Sequence, residues 1–240
     1  MGVLLGLVAL VVTALITPAP AAAELQLPPG FTAQIYVSGE GYENVAGGGL
    51  PPVTTLGVDD TGFLYMARPG RRYLGGEIDD RWPIYRIPPG GARLSPRTER
   101  AFFFGPPLPS AQIAVVRAGR ELYVTTYDRD RKIGVLYRLR AGRAELVAGG
   151  TPEEGAAPVL VQPEGADVDG AGNIYVADRA RDVVVKLDPA GRVVDPRFLS
   201  LTRPRLIAGG AGAVWAVGDG TAEAPWQKGT GDFVDRKSVV

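Results

Sequence analysis

This chain repeats itself. The run Pro163-Glu164-Gly165-Ala166-Asp167-Val168-Asp169-Gly170-Ala171-Gly172-Asn173-Ile174-Tyr175-Val176-Ala177-Asp178 reads as a strand, a tight turn and a second strand. Short β-prone runs broken by Asp-Gly are the signal for that arrangement. Thr54 to Tyr65 lies on Glu164 to Tyr175 without a gap, sharing Val-Asp, a turn that ends in glycine, an aliphatic residue and a tyrosine. Gln112 to Tyr123 fits the same frame through Val116, Gly119, Leu122 and Tyr123, and Pro204 to Trp215 is a fourth copy with a turn one residue shorter. A third strand follows each of the first three copies, at Tyr85-Arg86-Ile87, Tyr137-Arg138-Leu139 and Val185-Lys186-Leu187.

The anchors Tyr65, Tyr123, Tyr175 and Trp215 set repeats of about 40–58 residues, a length and strand content that match propeller blades. Insertions, chiefly at 70–81, account for the unequal spacing. The expected fold is therefore all-β: a β-propeller of four-stranded antiparallel blades. The 33 glycines and 21 prolines suit a chain with many tight turns. No stretch beyond the N-terminus sustains a helical period of 3.6.

Val3 to Ile16 is almost wholly apolar and runs into Thr-Pro-Ala-Pro and then Ala21-Ala22-Ala23. A hydrophobic run of about 14 residues is short for a bilayer span and fits a secretory signal cut after Ala23. Residues 1–23 are thus expected to be a signal peptide and 24–234 a partial propeller domain. The product would be secreted or periplasmic, with no membrane span after cleavage. The last six residues, Asp235 to Val240, match one reading frame of a sequencing adapter, so 235–240 are expected to be a non-native tail.

Charge and chemistry narrow the function classes. Lys+Arg and Asp+Glu both number 26, which leaves no net field to recruit nucleic acid. The chain has no cysteine and no histidine. Disulfides, thiol nucleophiles and imidazole chemistry are excluded for these residues. No Gly-x-Ser-x-Gly elbow or phosphate loop occurs. Asp167-Val-Asp-Gly-Ala-Gly-Asn173 has the look of a calcium loop, but its position between two strands reads as a hairpin turn. Asp128 to Lys132 reads as a solvated hairpin tip. Arg68, Arg71 and Arg72, beside Tyr73, are a candidate contact for an acidic partner.

Residues 146–193, from Leu-Val-Ala-Gly-Gly through Pro-Glu-Gly-Ala-Asp-Val-Asp-Gly to Val-Lys-Leu-Asp-Pro-Ala-Gly-Arg-Val, resemble an NHL repeat. They are also similar to a blade of the SMP-30/gluconolactonase-like propellers. The resemblance extends to 54–92 and 112–148 and thins after 204. It implies an incomplete six-bladed ring with four blades visible, so that about 100 further residues would complete it. Phe31 to Ser38 would then be the strand that closes the ring by joining the last blade.

The same resemblance points to the channel mouth as the site. Relatives with lactonase activity bind a divalent cation through acidic and amide side chains just before the glycine of the inner strand. Those positions here are Thr54, Gln112, Glu164 and Arg205. Glu164, in Pro-Glu-Gly, is the one that resembles a metal ligand, for calcium or another divalent cation, and Arg205 offers it an ion pair from the neighbouring blade instead. The relatives' Glu-Gly-Pro-aromatic motif has no match, and Gly49-Leu-Pro-Pro-Val-Thr54 stands in its place.

Leu27-Pro-Pro-Gly-Phe-Thr-Ala-Gln-Ile-Tyr36 resembles the opening of soluble quinoprotein sugar dehydrogenases, whose histidine base is missing here. Two functions follow as expectations. The first is an exported binding module for a protein, a glycan or a small molecule. The second is a divalent-metal-dependent hydrolase of lactones or sugar esters.

Overall fold

The computed structural model describes residues 27–42, 49–53, 55–68, 81–109, 111–117, 121–128, 131–210 and 212–220, and the backbone of 233–238. The expected signal peptide and Thr54 lie outside these residues, as do Arg71, Arg72 and Tyr73. Residues 27–35 are a short stretch of their own, in which the Phe31 amide donates to the carbonyl of Pro28 at 3.1 Å.

From Tyr36 onward the described chain is a series of sheets, antiparallel but for one short parallel pair. Val37–Gly39 is β1, Leu56–Val58 β2, Leu64–Met66 β3, Arg81–Ile87 β4, Ala92–Leu94 β5 and Phe103–Pro109 β6. Then come Gln112–Arg117 (β7), Glu121–Asp128 (β8), Ile133–Arg140 (β9) and Arg143–Gly149 (β10). Pro163–Val168, Ile174–Asp178, Val183–Leu187 and Val193–Ser200 are β11 to β14. Pro204–Gly210, Ala213–Gly218 and Phe233–Ser238 are β15 to β17.

Each repeat becomes one sheet. The first blade is ordered β2-β3-β4-β6, the second β7-β8-β9-β10, the third β11-β12-β13-β14, and the fourth shows β15-β16-β17. Every neighbouring pair within a blade is antiparallel. In β17, Asp235 to Ser238 pair with Ala216 to Ala213; ladder bonds are made by backbone and are indifferent to where those side chains originate.

The blades follow from alternation along the second strands. Successive side chains point to opposite faces, so Ile174 and Val176 turn back onto the second blade while Tyr175 turns forward onto the fourth. Ala166, Val168, Ile174, Val176, Val183 and Leu187 pack with Tyr123, Leu136 and Ala148. Tyr175 packs instead with Phe198, Val214 and Ala216. Tyr65 does the same two interfaces earlier, among Ile113, Leu122, Val124 and Leu139. Burying one such aromatic side chain is worth about 1.5–3 kcal/mol, and each of the first three blades buries its anchor against the next.

The calcium-loop look-alike is a turn. Asp169 Oδ1 accepts the amides of Ala171 and Asn173, each at 2.9 Å, and Oδ2 accepts the Asn173 carboxamide at 2.9 Å and the Tyr175 hydroxyl at 3.0 Å. Asp59 repeats the pattern with Thr61, Phe63 and Tyr65. Both turns close on a glycine of positive φ, Gly62 and Gly172, where a side chain would be strained.

One expectation is corrected. Phe31–Ile35 forms no strand, and Ile35 is 83% exposed. Only Val37–Gly39 pairs, and it does so in parallel with β5, beside the first blade. The Tyr36 hydroxyl lies within donating distance of the carbonyls of Gly62 (3.1 Å) and Pro88 (3.0 Å), which share its one proton, and the Ala92 amide donates to the Tyr36 carbonyl. Tyr42 continues the same anchoring. Its hydroxyl and that of Tyr85 both donate to Glu99 Oε2, at 2.9 and 2.7 Å. Burial, together with the bond to Glu99, pushes the Tyr85 phenol up to about 12.

Candidate functional site

The inner strands β2, β7, β11 and β15 lie side by side in blade order and bring their first residues to one end. Thr55 Oγ1 accepts the Ile113 amide at 2.5 Å, joining the first blade to the second. The Thr125 hydroxyl, opposite Gln112 in the β7–β8 ladder, donates to the main-chain carbonyl of Glu164 at 2.8 Å, joining the second to the third. At Gly165 the third and fourth blades approach so closely that a Cβ would overlap the carbonyl of Arg205. That approach brings Glu164 and Arg205 together.

Glu164 sits at the centre of the resulting cluster, with its side chain 5% exposed. Arg205 Nε donates to Oε2 at 2.8 Å, and Gln162 Nε2 donates to Oε1 at 2.9 Å. Arg179 Nε lies 3.6 Å from the same Oε1. Asp219 closes the other side, accepting from Arg179 at 3.1 Å and lying 3.6 Å from Arg205. Two carboxylates and two guanidiniums therefore alternate, and the cluster carries no net charge. Asp178, fully buried behind it, accepts the amides of Val161 (2.8 Å) and Gln162 (3.0 Å). Burial raises its carboxyl above the usual range, against the opposing pull of those amides and of Arg181.

Of the four positions singled out from sequence, Glu164 and Arg205 are in direct contact. Gln112 is buried on the adjoining blade, and its carboxamide nitrogen has no hydrogen-bond partner. Sequence reading missed Gln162, Arg179 and Asp219. The signal was present in the repeat register: Arg179 and Asp219 stand at the same offset after the anchors Tyr175 and Trp215, with opposite charges.

The cluster does not fit a divalent cation. A hard cation takes six to eight oxygens, carboxylates among them. Both oxygens of Glu164 already accept hydrogen bonds, and two guanidiniums stand where the cation would have to sit. Among the described residues, no group of three or more acidic side chains is placed to hold a metal. Arg68, singled out as a contact for an acidic partner, is also committed: it stacks 3.6 Å over the Trp82 ring and donates to the Tyr85 hydroxyl at 3.2 Å.

No protein-family model and no curated protein matches the sequence. Solved structures do match. The PQQ-bound aldose sugar dehydrogenase of Streptomyces coelicolor aligns at a TM-score of 0.54 and 16% identity, over 76% of this chain and 61% of that one. A gluconolactonase of Xanthomonas campestris aligns at a TM-score of 0.47 and 16% identity, over 69% and 54%. The chain thus spans between half and two thirds of the length of these two structures. At such identity the likeness is one of fold alone, and the successive four-stranded antiparallel sheets are blades of a β-propeller.

Proposed function

We propose that the chain is an exported, NHL-like binding propeller whose channel mouth and loop tips engage a protein, a glycan or a small ligand. The observation that carries this reading is the commitment of Glu164. It is the one carboxylate among Thr54, Gln112, Glu164 and Arg205, and it is occupied by Arg205 and Gln162. A hydrolase of lactones or sugar esters would need that carboxylate on a metal that activates water. Arg205 and Arg179 would have to move aside first. A neutral, bonded cluster that still offers guanidinium and carboxamide donors suits recognition of a polar ligand better than metal chemistry.

The test is calorimetric melting with and without millimolar calcium, together with a lactone-hydrolysis assay. A cation bound at a hundred times its Kd would stabilise the protein by about 2.7 kcal/mol. The expected result is an unchanged melting temperature and no hydrolysis above background. A calcium-dependent rise accompanied by turnover would replace the binding reading with the hydrolase. Export has its own check. N-terminal sequencing of protein recovered outside the cytoplasm should begin at Glu24.

A further inference from the structure

The inner strands have a second end, and it holds a different kind of site. A cavity of about 320 Å³ opens there, lined by Val115, Val116, Arg117, Glu121, Arg140 and Asp167. That volume is at the small end of the range for ligand pockets. Its walls come from the ends of β7, β9 and β11 and the start of β8.

The charges lining it are unevenly satisfied. Glu121 and Arg140 form an ion pair at 2.7 Å. The Asp167 carboxylate accepts the amides of Val168 (2.7 Å) and Gly209 (2.6 Å), one on each oxygen. Arg117 differs. Its NH1 donates to the carbonyl of Val168 at 2.8 Å, and among the described residues no carboxylate lies within ion-pair distance of it. The bond to Val168 anchors one end of the guanidinium, and among the described residues no acceptor is paired with its other N–H groups. A half-buried guanidinium held in this way matches the geometry of a carboxylate or phosphate, which it binds in bidentate fashion.

We propose that this cavity binds a small polyhydroxylated ligand that carries one oxyanion, with the oxyanion on Arg117. Asp167 and Glu121 keep lone pairs for the ligand's hydroxyl donors, since a carboxylate has about four acceptor sites. A carboxylate and a phosphate ester share this chemistry, and the probes separate them. The site is distinct from the channel-mouth cluster and stands whether or not that cluster binds anything.

The experiment is titration calorimetry on the full chain with glucuronate, glucose 6-phosphate and neutral glucose. One or both oxyanions should bind saturably and glucose should not; the tighter of the two identifies the oxyanion. R117Q should weaken binding at least about tenfold in a chain that still melts cooperatively, the lost bond to Val168 lowering its melting temperature without unfolding it. Should R117Q not fold, R117K retains the charge without the fork and should bind with intermediate strength. Because Arg117 lies at the opposite end of the inner strands from Glu164 and Arg205, the R117Q result itself separates this proposal from the reading of the mouth. Failure of both oxyanions to bind, equal binding of glucose, or an R117Q titration like that of the parent would overturn the proposal.

Discussion

Arg205 Nε donates to Glu164 Oε2 at 2.8 Å across the boundary between the third and fourth blades. The acid is almost wholly buried, whereas the Arg205 side chain remains 34% exposed. Removing one member of a buried pair strands the other in a poor dielectric, at a cost of about 3–5 kcal/mol. Because Arg205 reaches solvent and keeps Asp219 nearby, E164A should fall at the lower end, at about 3 kcal/mol. Replacing both members by apolar residues of similar size, Glu164→Leu with Arg205→Met, should recover most of that loss. Urea denaturation of the three chains measures this directly. An E164A chain as stable as its parent would show that the cluster does not hold the blades together.

The turns supply a pH-dependent contribution. Burial by itself would raise the carboxyl of Asp169, but bonds from the Asn173 and Tyr175 side chains and from the Asn173 and Ala171 amides outweigh it and hold the group below its ordinary 3.8. Asp59 is held down in the same way by Thr61, Phe63 and Tyr65. A carboxyl whose folded pKa is depressed contributes stability above its unfolded pKa and loses it as pH falls through the folded one. The melting temperature should therefore decline below about pH 4, and D169N should show a shallower decline. Y175F removes a bond to a charged acceptor and should cost about 1.5–3 kcal/mol near neutral pH. A D169N chain with the parent's acid profile would assign the acid sensitivity elsewhere.

What the repeat made legible was everything that depends on local spacing. The strand–turn–strand frame placed the inner strands, the anchors Tyr65, Tyr123 and Tyr175, and the turn that consumes Asp169. The pairing of Val37–Gly39 with Ala92–Leu94 was not legible, because a three-residue parallel ladder leaves no periodic pattern in the sequence. Arg179 and Asp219 were also missed. Their role depends on two blades converging, and a residue just past a strand end shows its partner only once neighbouring copies are stacked. Glu164 was identifiable from its Pro-Glu-Gly setting, but Gln162, which occupies its second oxygen, carries no motif at all.

Gly165 sets the distance over which that convergence happens. A Cβ there would overlap backbone, the carbonyl of Arg205, which cannot swing away as a side chain can. G165A should push β15 off β11 and lower stability by about 1–3 kcal/mol. It should also lengthen the Glu164–Arg205 contact. G170A is the control, since nothing lies within 4 Å of a Cβ at Gly170. Equal melting temperatures for G165A and the parent would mean that the two strands can separate at little cost.

The first and last blades differ from the middle ones in what covers them. Leu56 and Val58 occupy the frame positions of Ala166 and Val168, which are buried against the second blade, yet they are 61% and 62% exposed. Leu206, on the side of the fourth blade that faces away from the third, is 62% exposed. Apolar side chains grouped on exposed sheet faces are association sites or aggregation liabilities. The chain should therefore self-associate as its concentration rises. A triple variant, Leu56→Lys, Val58→Thr and Leu206→Lys, should reduce that association without lowering the melting temperature, because none of the three contributes to an inter-blade core. Light scattering across a concentration series, run beside calorimetry, separates the possibilities. Lower scattering at an unchanged melting temperature identifies these faces as the contact. Unchanged scattering would place the contact on another surface, and a lower melting temperature would mean that these side chains support the fold from positions where they look idle.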